Sequence, residues 1–116
     1  MPLIKIKTSI PSPDRPKVDT LLTTLSAKLA QHLGKPESYV MTAFESDVPM
    51  TFGGTLDPAC YIEIKSVGGM SATQTKSMSQ DFCQAISDEL NIPPNRTYIE
   101  FAGAEGKMWG WNSGTF

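Results

Sequence analysis

A strand–helix–strand order that occurs twice is the feature that most narrows the folds open to this chain. Leu29 and Leu33 lie at the end of one amphipathic helix, and Ile86 and Leu90 take the same relative positions in a second helix about half the chain further on. A strand pattern precedes and follows each helix, and right-handed βαβ crossovers put both helices on the same face of a sheet. The order predicts an α+β fold with a four-stranded mixed sheet and both helices on one face.

The two βαβ units fit a single domain over residues 1–116, with halves at roughly 1–58 and 59–116. Alternation of apolar and polar residues with a period of two indicates the strands, beginning with Ile4 and Ile6 in the first. The predicted strands span residues 1–7, 39–45, 60–65 and 97–102, and the short aromatic tail at 107–111 is also predicted to be extended.

Capping residues bound the two helices. Asp14 suits the N-cap of the first helix, and Gly34 suits the position just past its C-terminus. Ser71 followed by Gln74 has the spacing of a capping box, so the second helix is predicted to begin there and to end near Asn91.

Composition excludes several classes of protein. The chain has 116 residues and a formal net charge of −2, so nothing recommends a nucleic acid as partner. No apolar run is long enough to span a membrane, and the first residues lack the basic and apolar regions of a signal peptide. We therefore expect a cytoplasmic protein in which Cys60 and Cys83 are reduced thiols rather than a disulfide or a redox motif. His32, the single histidine, is expected at the surface or at the C-terminal cap of the first helix.

One face of the predicted sheet carries no helix, and the tail contains Trp109, Trp111 and Phe116. A symmetric oligomer would cover the bare face and give these rings a neighbour to pack on. Simple exposure of a few aromatic side chains is the alternative, because folded proteins tolerate scattered apolar residues at their surface.

Pro2 is the first candidate for chemistry. Methionine aminopeptidases usually remove Met1 before a small residue such as proline, which would leave a secondary amine at the start of a core strand. An ordinary α-amino group has a pKa of about 7.7–8.0, and desolvation lowers the pKa of an amine. A half-buried terminal proline can therefore act as a general base near neutral pH. The alternative is that a proline at this position has no chemical role.

Two further features can hold an anion. Lys35 follows the first helix and offers a cation, although a solvated lysine or one that bonds the last carbonyls of its helix is the alternative. The Val67-Gly68-Gly69 turn is predicted to end a strand and open a helix, where backbone N–H groups and the helix dipole attract negative charge. A plain glycine turn is the alternative there.

Six segments taken together resemble one family. They are Pro2-Leu3-Ile4, Leu33-Gly34-Lys35-Pro36 with Tyr39, Phe52-Gly53-Gly54, Ser66-Val67-Gly68, residues 94–99, and Gly110-Trp111-Asn112-Ser113-Gly114-Thr115-Phe116. The pattern is similar to macrophage migration inhibitory factor and D-dopachrome tautomerase, members of the tautomerase superfamily. The resemblance implies a homotrimer with active sites at the subunit interfaces. It also implies keto–enol tautomerisation of phenylpyruvate-like α-keto acids without a cofactor.

By position, the resemblance makes Pro2 the catalytic base and assigns Lys35 and the backbone N–H of Val67 to the substrate carboxylate or carbonyl oxygen. Tyr98 would close the pocket from a neighbouring subunit. The other positions that the resemblance implies at the substrate are Tyr39, Glu100, Trp109 and Phe116. It implies no metal ligand, and it is compatible with non-classical secretion of a protein that has no signal peptide.

Two positions depart from the family pattern. Glu100 replaces an asparagine that helps to hold the substrate, and its carboxylate would either repel an anion or serve in acid–base exchange. Trp109 replaces a small aliphatic residue and would narrow the entrance. Ala59 and Ile62 occupy the positions of a Cys-x-x-Cys motif, so we set aside the redox function linked to that motif. A trimeric, cytokine-like interaction protein with a weak or vestigial pocket is the alternative to the enzyme.

Overall fold

A computed structural model describes residues 1–116, which have an α+β fold. The four long strands are β1 (Leu3–Thr8), β2 (Met41–Glu45), β3 (Cys60–Val67) and β4 (Thr97–Ala104). The two helices are α1 (Arg15–Leu33) and α2 (Ala72–Leu90), and two short strands, β5 (Gly110–Trp111) and β6 (Gly114–Thr115), follow near the C-terminus. Single 3₁₀ turns span Glu37–Tyr39, Pro94–Arg96 and Gly106–Met108. Neither helix combines the length and apolarity needed to cross a membrane.

The four long strands form one mixed sheet in the order β2-β1-β3-β4. The two outer pairs are parallel, as a βαβ crossover requires, and the central β1–β3 pair is antiparallel. The antiparallel pairing, with Ile4 opposite Ile64 and Ile6 opposite Ile62, joins the two βαβ units into one sheet. The predicted fold is therefore confirmed.

Both helices pack on one face of this sheet. In β1 and β3 every second residue is buried beneath them, including Ile4, Ile6, Ile62 and Ile64. The core cluster combines these strand residues with the apolar stripes of the helices: Ile4, Ile6, Leu21, Leu25, Leu29, Cys60, Ile62, Ile64, Met78, Phe82, Ile86, Leu90 and Ile92. The intervening strand residues face away from the helices, on the side that this chain leaves open.

The helix ends follow the sequence prediction with one exception. Gly34 adopts a left-handed conformation (φ 63°) at the end of α1, which suits a residue without a side chain. Ser71 and Gln74 form the predicted capping box at the start of α2. Asp14 occupies the N-cap of α1 as predicted, and the exception is that its side chain accepts no capping hydrogen bond.

The strand bounds shift by one or two residues in the structure, and β1 spans Leu3–Thr8 rather than 1–7. The predicted strand 39–45 begins only at Met41, because residues Glu37–Tyr39 form a 3₁₀ turn after Pro36. β3 and β4 each extend two residues beyond the predicted end, since the two strands pair in parallel to the Val67–Ala104 position. The tail folds as a 3₁₀ turn and a β5–β6 hairpin rather than as one extended segment.

His32 is neither a plain surface residue nor a helix cap. Its Nε2 lies 2.7 Å from Oδ2 of Asp81 on α2, and its ring meets the Phe82 ring edge-on at 5.5 Å between centroids. Lys28 donates to the other carboxylate oxygen of Asp81 at 2.7 Å. Asp81 therefore links α1 to α2, a contact between residues that lie far apart in the sequence.

Replacing Asp81 with Asn tests this link. Partial burial acts to raise the pKa of Asp81, but hydrogen bonds from Lys28 and His32 lower it overall from 3.8. A folded-state pKa below the unfolded value stabilises the protein above about pH 4 and loses that effect as the pH falls. We expect D81N to lower the free energy of unfolding by about 1 kcal/mol at pH 7, because the group is partly exposed.

The measurement is urea unfolding of wild type and D81N at pH 7 and at pH 3, at one protein concentration. The difference should become smaller from pH 7 to pH 3, because protonation of Asp81 removes its charge. The matched control is D14N, an exposed aspartate without a side-chain capping bond, which should leave stability unchanged. A D81N difference of the same size at both pH values would contradict the ionic link.

Candidate active site

The end of α1 directs Lys35 to the carboxyl end of β3. The left-handed Gly34 turns the chain, and the Lys35 N–H donates to the Ala30 carbonyl at 3.1 Å. The Lys35 side chain crosses to β3, where its Nζ donates to Ser66 Oγ at 2.6 Å and also to the Val67 carbonyl oxygen. The half-buried ammonium group is therefore fixed in place rather than free in solvent.

Pro2 lies beside this ammonium group. Its side chain is buried, and its carbonyl accepts a hydrogen bond from the Met41 N–H at 3.0 Å. Leu3 pairs with Lys65, so the same antiparallel register continued by one residue brings Pro2 next to Ser66, the residue to which Lys35 donates. Strand pairing and the exit from α1 together bring Pro2 and Lys35 to one place.

The surroundings lower the pKa of an amine at this place. The chain start lies at Met1, so the nitrogen of Pro2 is an amide here and the free amine is that of Met1. Burial and then the nearby Lys35 charge lower the pKa of the Met1 amine from its ordinary value of 8.0. Both effects oppose protonation of an amine.

The glycine turn lies just before α2. The helix begins at Ala72, three residues beyond Gly69, and in its capping box the Gln74 N–H donates to the Ser71 hydroxyl. The Gly68 N–H donates to the Ala104 carbonyl at 2.9 Å. The Gly68 N–H is therefore already paired, and the group that Lys35 contacts at Val67 is the carbonyl oxygen. An anion site at this turn and a role for the Val67 N–H stay predictions.

An aromatic cluster lies next to this site. Tyr39, two residues before the Met41 that holds Pro2, meets Trp111 at 5.3 Å and Phe116 at 6.0 Å between ring centroids. Trp111 and Phe116 stack at 5.5 Å. The structure thus brings together the predicted Tyr39 and Phe116. It adds Trp111, which was named for the tail but not for the site.

Trp109 contributes backbone rather than a ring to this arrangement. Its carbonyl accepts from the Phe116 N–H at 3.3 Å, and the Gly106 carbonyl accepts from the same N–H at 3.2 Å. Its ring is half-buried and forms no stacked or edge-on pair with the cluster rings. A side chain at Gly106 would meet the Phe116 carbonyl, so only glycine fits beneath the C-terminal residue.

Tyr98 and Glu100 lie away from Pro2 within the same chain. Tyr98 pairs with Tyr61 on β3, whereas Pro2 is beside Ser66, five residues further along that strand or roughly 17 Å away. Tyr98 is 67% exposed and packs on Phe52, with 4.9 Å between ring centroids. Glu100 is exposed on the open sheet face, opposite Glu63. One chain therefore brings together Pro2, Lys35 and Val67 with the aromatic cluster, but not Tyr98 or Glu100.

No group of three His, Cys, Asp or Glu side chains has a geometry that could hold a metal ion.

The Gly106 contact can be tested by G106A. The added methyl group must displace the Phe116 carbonyl, so we expect the C-terminal residues to leave the cluster and Trp111 to become more exposed to water. The measurement is tryptophan emission, which should shift to longer wavelength, together with faster carboxypeptidase release of Phe116. G69A is the matched control, because nothing lies within 4 Å of a side chain there. An unchanged spectrum in G106A would contradict the close contact.

Comparison with known proteins gives one family throughout. The family model described as Macrophage migration inhibitory factor (MIF) matches residues 1–116. The chain is 39% identical over 116 residues to a macrophage migration inhibitory factor homolog from Trichuris trichiura, covering 100% of both chains. It is 35% identical to the macrophage migration inhibitory factor of Xenopus laevis over 100% of this chain and 99% of that protein.

Solved structures of macrophage migration inhibitory factors have the same fold as this chain. The crystal structure of a macrophage migration inhibitory factor homologue from Prochlorococcus marinus has a TM-score of 0.94 and 45% identity, covering 98% of each chain. That of the factor from Trichinella spiralis has a TM-score of 0.87 and 31% identity, covering 98% of this chain and 99% of that chain.

Proposed function

The chain belongs to the macrophage migration inhibitory factor family, and from that premise we propose that it is a keto–enol tautomerase of phenylpyruvate-like α-keto acids. Pro2 is the base, after removal of Met1, and the reaction uses no cofactor. The observation that carries the proposal is the environment of the chain start, where burial and Lys35 lower the pKa of an amine. That perturbation is what a general base working near neutral pH requires.

In the proposed reaction the free Pro2 amine accepts a proton from the carbon next to the substrate carbonyl. Negative charge then develops on the carbonyl oxygen, and the proton is returned to that oxygen to give the enol. The reverse sequence converts the enol to the ketone. Because Pro2 is regenerated as the neutral amine at the end of each cycle, no further reagent is consumed.

Lys35 is the proposed electrostatic partner. Its ammonium group is held by Ser66 and the Val67 carbonyl, so it requires little reorganisation when a negative charge forms beside it. The same cation suits a substrate carboxylate. Tyr39 and Phe116, with Trp111, offer apolar surface for the aromatic ring of the substrate, and Trp109 would narrow access to them.

A homotrimer completes the site in this proposal. Tyr98 lies on β4 opposite Tyr61 of β3, too far along the sheet to reach Pro2 of its own chain, yet it is exposed and packed against Phe52. A neighbouring subunit would present its Tyr98, and Glu100 from the same strand, to this pocket.

Both cysteines are free thiols, the state that a reducing compartment maintains, so the proposed location is the cytoplasm.

A trimeric interaction protein is the second candidate function. Glu100 favours it, because an exposed carboxylate at the pocket would repel an anionic α-keto acid. In that case the pocket is vestigial and the trimer surface carries the function. Robust turnover by the processed protein, together with no specific partner in a pull-down, would count against this candidate.

Replacing Pro2 with Gly tests the base. We expect P2G to lower kcat/KM for phenylpyruvate by about 100-fold or more, because general bases contribute on the order of 10²–10⁴ to rate. The measurement is enol absorbance, on protein whose intact mass shows that Met1 is absent. P11G, in an exposed loop, should keep wild-type turnover. Full activity in P2G with an unchanged oligomeric state would overturn the assignment.

Replacing Lys35 with Met tests the cation by the pH dependence of the rate. Lys35 lowers the pKa of the Met1 amine, and in this proposal it acts in the same way on the Pro2 amine of the processed protein. Its removal should therefore shift the acid limb of the kcat/KM profile to higher pH. KM should also rise, since the substrate carboxylate loses its partner. The control is K17M, an exposed lysine on α1, for which neither quantity should change. An unshifted acid limb in K35M would show that the cation does not act on the base.

A further inference from the structure

Arg96 binds a set of backbone carbonyls rather than a carboxylate. Its Nε donates to the Pro58 carbonyl at 2.9 Å, and its Nη2 donates to the carbonyls of Asp57 at 2.9 Å and Thr55 at 3.5 Å. Its Nη1 donates to the Phe52 carbonyl at 3.3 Å. A guanidinium group has five donors in one plane, which allows a single side chain to bind several carbonyls at once.

The segment that Arg96 binds is otherwise weakly attached. Residues 46–59 join β2 to β3, a long connection of the kind that often has a functional role. Within it, Phe52 and Thr55 close a tight turn through two backbone hydrogen bonds of 3.1 Å each. Every hydrogen bond between residues 52–58 and the rest of the chain is donated by Arg96.

The same contacts fix an aromatic pair. The guanidinium carbon of Arg96 lies 5.4 Å from the centre of the Phe52 ring, and the Phe52 ring meets Tyr98 at 4.9 Å. Tyr98 follows Arg96 by two residues, on the exposed strand β4. Phe52 is therefore held between Arg96 and Tyr98, and it is the aromatic ring that Tyr98 contacts.

From this arrangement we infer that Arg96 is a positioning residue, which orders the 52–58 loop so that Phe52 holds the Tyr98 ring in the orientation needed at a neighbouring subunit's pocket. The inference rests on the proposed function for the role of Tyr98 in substrate binding. The ordering of the loop does not depend on that role. Arg96 itself touches no reacting atom, so it acts on binding rather than on proton transfer.

The decisive variant is R96K, which keeps the positive charge but loses the planar guanidinium group and its five donors. A lysine ammonium cannot reach carbonyls on both sides of the loop at once. The matched control is R15K, because Arg15 is the other arginine of the chain and makes only an exposed ion pair with Asp19. We expect the Phe52 and Thr55 amides to exchange with deuterium about tenfold faster in R96K and at the wild-type rate in R15K.

Kinetics give the second measurement. With processed protein, KM for phenylpyruvate should rise roughly fivefold in R96K, about the effect of one lost hydrogen bond, with kcat and the acid limb of the pH profile unchanged. F52L should have the same effect, and the R96K/F52L double variant should be no worse than either single one. A merely destabilised protein would lose active enzyme and lower the apparent kcat instead.

Three results would overturn the inference. They are wild-type amide exchange at Phe52 and Thr55 in R96K, a wild-type KM despite faster exchange, and additive effects in the double variant. If the processed wild type has no turnover, the proposed function fails. The NMR resonances of the Tyr98 ring then test whether Arg96 positions that ring. A shift of those resonances in R96K but not in R15K supports it, and no shift in R96K refutes it.

Discussion

The antiparallel pairing of β1 with β3 is the interaction on which the rest of the structure depends. It is the contact that joins two parallel βαβ units into one sheet, and it lines up Ile4 with Ile64 and Ile6 with Ile62 beneath both helices. A slip of one residue would turn these side chains to the open face. Because the cost of exposing several isoleucines is large, the register is strongly specified.

The same register positions the residues of the candidate active site at one end of the sheet. It brings Pro2 beside Ser66, and Ser66 is one of the two groups that hold the Lys35 ammonium. The site thus inherits its geometry from a core strand pair rather than from flexible loops. This explains how an amine at a chain start, ordinarily mobile and solvated, comes to be partly buried with a lowered pKa.

The other end of the sheet has a different character. Tyr98, Phe52 and Arg96 gather there, far along β3 from Pro2 and with much of the Tyr98 ring exposed. A single chain thus carries one aromatic group near each end of the sheet. In a closed symmetric ring, a head-to-tail contact can bring two such groups together between subunits, which is the physical basis for the proposed trimer.

Sequence by itself determined the element order, the α+β fold, the buried stripes and most helix ends, since these follow from local periodicity and capping chemistry. Membership of the macrophage migration inhibitory factor family, inferred from six short segments, is confirmed over the whole chain. Tertiary structure alone decided the His32–Asp81 link, the place of Trp111 in the cluster and the Arg96 contacts. Each of these depends on two segments that meet only after the sheet has formed, and no local pattern records such distances.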